Sequence, residues 1–90
     1  MSVDNECRAA AQEYEKLEVM KAWERACEYF QGYVKVELKG ELRGEAERIL
    51  ADLKIARHHY LEGALAGADL MALIMKCYER MFKKLGMQKL

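Results

Sequence analysis

Proline is absent from this 90-residue chain, and Ser2 is its only serine or threonine. Without proline, helix ends must be marked by glycine or by a few Asp and Asn residues. Without further hydroxyls, serine- or threonine-based nucleophilic catalysis has no candidate away from the terminus. The longest apolar run, Leu70 to Met75, is far shorter than the roughly 20 residues a membrane span requires, so no membrane association is expected. The amino terminus, MSVDNE, is acidic and lacks the apolar segment of a signal peptide. Cys7, Cys27 and Cys77 are odd in number, widely spaced and free of any C-x-x-C pair. They argue against a disulfide framework or a zinc ribbon and fit a reducing cytoplasm.

What is present describes one helical domain spanning residues 1–90. Hydrophobic residues make up 52% and charged residues 33%, which is a folding composition. A chain of this size buries only roughly 60–65% of its unfolded surface, so a partner or second copy would add stability. Fifteen bases balance fifteen acids, which disfavours a strongly basic nucleic-acid binder and an acidic mimic of DNA alike. The balance is uneven along the chain: residues 1–31 hold seven acids and four bases, residues 64–90 two acids and five bases. The simplest expectation is that the acidic and basic thirds pack side by side.

Apolar residues recur at Val3, Cys7, Ala10, Tyr14, Leu17, Met20, Trp23, Cys27 and Phe30, always three or four apart. This predicts one long amphipathic helix over about 3–31, with Ser2 as N-cap and Gly32 as stop. A second helix, about 41–62, carries Leu42, Ala46, Ile49, Leu53, Ala56 and Tyr60, with Leu50 and Leu61 widening the stripe. The segment GALAG (63–67) predicts a turn, after which Asp69 would cap a third helix over about 68–85. Its stripe is Leu70, Leu73, Ile74, Cys77, Met81 and Leu85, ending at Gly86. The fold class is thus all-α, a three-helix bundle-like domain with one long N-terminal helix.

Residues 32–48 read ambiguously. Val34, Val36 and Leu38 alternate with Lys35, Glu37 and Lys39, as in a half-buried strand. A helix here would stack Glu37, Glu41 and Glu45 and carry two glycines, each costing about 1 kcal/mol. A short extended segment near 33–39 is therefore expected, and a lone strand needs a partner, most simply the same segment of a second copy. Strand, helix, helix is similar in order to ribbon–helix–helix DNA-binding proteins. The second helix here is too long for that family, and Glu37 would sit on the DNA-facing side.

Candidate chemistry is thin. Asp52, His58, His59 and Glu62 share part of a helix surface, but a metal site needs three or four ligands at fixed geometry. No metal and no cofactor is expected. Two of the cysteines, Cys7 and Cys27, lie on the stripe of the first helix and Cys77 on that of the third, where cysteine behaves as a small hydrophobe. No pair among the many carboxylates is singled out for catalysis, so the chain is not expected to be an enzyme. Lys76, Arg80, Lys83 and Lys84 form a basic stripe on the third helix, with acids of the first helix as expected partners.

The third helix also bears a second apolar stripe, Met71, Met75, Tyr78 and Phe82, more than one covered neighbour needs. Methionine is adaptable and over-used at surfaces that accept varied partners. The expectation is a small intracellular protein–protein interaction module, acting as a homodimer or through a protein partner of unknown identity. An adaptor and a small inhibitor of a larger complex, of the kind mobile elements encode, both fit. The expected contacts are Trp23, Phe30, Met71, Met75, Tyr78 and Phe82. The alternative is a dimeric nucleic-acid-binding regulator using Lys76, Arg80, Lys83 and Lys84.

Overall fold

A computed structural model of the chain describes residues 3–35 and 40–89. Three helices, α1 (Val3–Lys35), α2 (Gly40–Leu61) and α3 (Gly67–Lys89), each pack against the other two. The expected stripes of α2 and α3 supply most of the core. Leu42, Ala46, Ile49, Leu53 and Ala56 meet Leu70, Ile74, Cys77 and Met81, all buried. Fully burying one such Leu, Ile or Met side chain contributes about 1.5–3 kcal/mol.

The first helix departs from expectation at its end. It passes through Gly32 to Lys35, so residues 33–35 are helical rather than extended; residues 36–39 lie outside the described residues. Packing explains the extension. Tyr33 and Val34 lie against the core, and the hydroxyl groups of Tyr33 and Tyr29 are 2.9 Å apart across one turn. These contacts outweigh the cost of about 1 kcal/mol for a glycine inside a helix. No strand occurs among the described residues, so neither strand pairing between copies nor a ribbon–helix–helix arrangement has support in them. Likewise α3 continues through Gly86 instead of stopping there.

Gly63 does end a helix. Its φ of 84° is a left-handed conformation that other residues adopt only under strain. The amide of Ala64 donates to the His59 carbonyl at 2.8 Å, and that of Gly63 donates to the Tyr60 carbonyl at 3.1 Å. These two bonds close the last turn of α2 and satisfy carbonyls that would otherwise be orphaned. The chain then turns and α3 opens with the Leu70 amide donating to the Ala66 carbonyl at 3.0 Å. Asp69 therefore sits inside the first turn, favoured by the helix dipole, rather than at the cap. At Gly67 the turn comes so close to α1 that an added Cβ would collide with the Glu15 carboxylate and lie 3.4 Å from Val19 Cγ2.

The 33 residues of α1 make a rod about 50 Å long, against about 33 Å for α2, and the molecule measures 60 × 21 × 19 Å. From Val19 onward α1 joins the core through Val19, Ala26, Cys27 and Phe30. Residues 6–18 are all exposed. Length explains only part of this. Eight steps carry the stripe from Val3 to Phe30, about 3.4 residues each against 3.6 per helical turn, so it winds roughly halfway round α1. Cys7, Ala10, Tyr14 and Leu17 consequently point away from the side that Trp23, Cys27 and Phe30 turn to the bundle.

Candidate interaction surface

The expected contact residues divide into two groups. Phe30 is fully buried and belongs to the interior. Trp23 is half-buried, donates its indole N–H to the Leu53 carbonyl at 2.7 Å, and carries the Arg57 guanidinium 5.2 Å above its ring. That bond satisfies the indole donor and ties α1 to α2, which is a structural duty. Met71, Met75 and Phe82 are the outward group, with 38%, 58% and 56% of their surface exposed.

Tyr78 joins the two groups. It is half-buried, with its ring centroid 5.3 Å from Phe30, 5.3 Å from Tyr29 and 6.2 Å from Phe82. Tyr29 in turn meets Phe30 edge-on at 5.1 Å and Phe82 at 6.5 Å. The Phe82 end of the exposed face thus rests on an aromatic cluster anchored by the buried Phe30. Burial, with help from the Tyr33 hydroxyl, pushes the Tyr29 phenol up to about 12. Burial also raises the Tyr78 phenol, with the Arg25 charge opposing it. Both rings are uncharged, hydrogen-bonding surfaces at neutral pH.

Beside this face, α1 and α3 frame an open groove of about 480 Å³, lined by Tyr14, Glu18, Lys21, Ala22, Arg25 and Met71. Its α1 side carries both signs, with Lys21 and Arg25 beside Glu15 and Glu18. Lys76 and Lys83, which directly follow Met75 and Phe82, are exposed on the α3 side. Glu79 lies between these two lysines and the strip, and Glu18 is 3.7 Å from Lys21.

The basic stripe of α3 does not present four free cations. Arg80 bridges to α2, 3.0 Å from Glu45 and 3.2 Å from Asp52. Its partners are acids of the second helix, not the first. Glu45 is buried and also accepts from Arg48 at 2.7 Å. The hydrogen bonds from Arg48 and then Arg80 hold the Glu45 carboxyl below the usual carboxylate range, against the opposing effect of burial. This polar bridge was not anticipated. Its one sequence signal, the Glu45–Arg48 spacing on a helix, is too common to select it, and the Arg80 partner lies 35 positions away. Lys84 is half-buried, and Lys76 and Lys83 are exposed.

The remaining candidates stay local. His58 Nε2 lies 2.9 Å from Glu62 Oε1, one helical turn away, with His59 beside it at a ring separation of 6.0 Å. Among the described residues no group of three or more His, Cys, Asp or Glu side chains is placed to hold a metal ion. Burial raises the Cys27 and Cys77 thiols, so both are protonated and poor nucleophiles at neutral pH. Cys7 is exposed. Among the described residues no helix is long and apolar enough to cross a membrane. Ile55 on α2, also exposed, was not anticipated, because it lies off the main stripe.

Comparison with family models, with curated proteins and with solved structures finds no match to this chain.

Proposed function

We propose that this chain is a protein–protein interaction module that binds another polypeptide across the outer face of α3. The observation that carries the proposal is the exposure of Met71, Met75 and Phe82 on one side of a helix whose other side is core. Both α1 and α2 already pack on α3, and Met71, Met75 and Phe82 remain largely exposed beyond those two contacts. Covering the outer stripe removes apolar surface from water at about 25 cal/mol per Å². The flexible thioethers of Met71 and Met75 can reshape to a partner, while the aromatic cluster beneath keeps the site in place. An adaptor and a small inhibitor of a larger complex both use such a face. The free thiols of Cys7, Cys27 and Cys77 suit a reducing compartment, so the proposed location is the cytoplasm.

The test is affinity capture from the native source with the wild-type chain and with a Met75→Glu/Phe82→Glu variant as baits. Proteins retained by the first and lost by the second are expected. Identical captures with both baits would remove the face from the function. The nucleic-acid alternative is weaker, because Arg80 is engaged with Glu45 and Asp52 and the chain has no net positive charge. It predicts salt-dependent anisotropy changes with labelled duplex DNA; none is expected at low ionic strength.

A further inference from the structure

The N-terminal part of α1 and the outer face of α3 are complementary. Residues 6–18 form a helical arm with every side chain exposed. Tyr14 and Leu17 on it leave 66% and 54% of their surface in water. Cys7, Ala10, Tyr14 and Leu17 alternate at steps of three and four, the spacing of a helix that lies along another helix. At 3.6 residues per turn, Glu6 and Glu13 border this stripe on one side and Glu18 on the other. The arm's bases, Arg8 and Lys16, fall on the opposite side of the helix. The arm is therefore an apolar ridge edged with acid. The α3 face is an apolar strip with Lys21 and Arg25 on its α1 side, where Glu15 and Glu18 also line the groove, and with Lys76 and Lys83 beyond Glu79 on its outer side.

Two arms cannot pair well with each other, because acids would face acids across the seam. The arm also cannot reach its own α3 strip, since it continues an unbroken helix away from the bundle. We infer that a second copy of this chain covers the α3 face with its arm, and that the exchange is reciprocal across a two-fold axis. Tyr14 and Met71 line one groove, so the arm and the strip are continuous and the axis passes near them. A two-fold axis there sets each arm antiparallel to the α3 of the other copy. Leu17 of the second copy then starts near Met71, and its Cys7 ends near Phe82.

The lengths agree. From Cys7 to Leu17 is about 15 Å of helix and from Met71 to Phe82 about 16 Å. One charge near Phe82 agrees too: the acidic start of each arm reaches the last turns of α3, where the helix dipole opposes acids and Lys83 supplies positive charge. Each copy contributes one arm and one strip, which makes the interface isologous and closed.

This inference rests on the reading of the α3 face as a binding surface, and sedimentation velocity over a concentration series tests it separately. The wild-type chain is expected to pass reversibly from monomer to dimer. An arm variant, Tyr14→Glu/Leu17→Glu, and a strip variant, Met75→Glu/Phe82→Glu, are each expected to remain monomeric. Their equimolar mixture is expected to form heterodimers, because one intact arm still meets one intact strip. Neither arm–arm nor strip–strip pairing would be rescued by that mixing. Glu6→Lys/Glu13→Lys is expected to weaken the dimer roughly tenfold, which is about 0.3–0.4 kcal/mol for each of the four symmetry-related rim pairs. Adding Lys76→Glu/Lys83→Glu to the same chain is expected to restore it. Circular dichroism confirms folding, and the arm substitutions touch no core residue. A wild-type chain that stays monomeric, or a mixture that fails to pair, overturns the inference. If wild type is monomeric yet the strip variant still loses captured proteins, the binding-surface reading stands and only the self-pairing falls.

Discussion

Residues 6–18 and 19–34 of α1 belong to one unbroken helix and share the same spacing of apolar groups. One stretch stays exposed, touching the bundle only at its edge where Glu15 lies beside Gly67, and the other forms a wall of the core. Tyr14 and Trp23 show the contrast at single positions. Both are large amphipathic rings on the apparent stripe, but Trp23 spends its N–H on the Leu53 carbonyl while Tyr14 stands two-thirds exposed. The difference lies in phase as well as length. A stripe that advances by slightly less than a full turn at each step changes sides within 27 residues. Local periodicity identifies a helix; only the accumulated angle identifies what each part of it faces.

The largest expected effect comes from comparing the two halves directly. Phe30→Ala should cost about 3–5 kcal/mol in urea denaturation, by transfer and cavity formation together. Leu17→Ala, measured at concentrations where the chain is monomeric, should stay within about 0.5 kcal/mol. Equal losses would mean that the arm is part of the folded core.

A second experiment concerns the α2–α3 bridge, which the arm lacks. Glu45→Gln should cost about 1–3 kcal/mol, since it removes the charge that Arg48 and Arg80 share. Because the folded Glu45 carboxyl titrates below its unfolded value, its contribution is full above the ordinary carboxylate range and is lost as pH falls through the folded value. Stability curves of wild type and Glu45→Gln should therefore converge toward acid pH. Parallel curves would show that Glu45 does not govern the acid limb.

Glycine substitutions probe the two ends of the bundle with opposite signs. Gly63→Ala should destabilise by about 1–2 kcal/mol, because φ is 84° there. Gly32→Ala should stabilise by up to about 1 kcal/mol, as Gly32 lies inside α1 with open space around it. A loss at Gly32 would argue that α1 bends or frays at that point.

The smallest effect is chemical. With a thiol reagent under native conditions, Cys7 on the arm should react promptly, while Cys27 and Cys77 react only as fast as the chain opens. Mass spectrometry of the labelled protein distinguishes the three. Equal labelling would mean that the core around Cys27 and Cys77 is loosely closed.

The buried stripes of α2 and α3 and the turn at 63–66 were legible because each depends on residues close together in sequence. Leu42 to Ala56 hold their phase over four turns, and Gly63 terminates α2 by its own geometry. The exposed trio Met71, Met75 and Phe82 was legible as surplus apolar surface. Three features were not. The end of α1 depends on Tyr33 and Val34 finding the core, which outweighs Gly32. The Arg80 bridge needs α2 and α3 in register before Glu45, Asp52 and Arg80 converge. The enclosure of Phe30 and half-burial of Trp23 depend on which side of the drifting stripe meets the bundle, and spacing alone is blind to that.

The Arg80 bridge has one consequence for the outer face of α3. In a small bundle, a helix with two apolar stripes has an obvious escape: it can roll about its axis and hide whichever stripe is larger. Rolling α3 far enough to bury Met75 would carry Arg80 away from Glu45 and leave a carboxylate enclosed without its partner. The guanidinium thus acts as a key in a shaft, fixing the rotational setting of α3 and holding its methionine strip toward solvent.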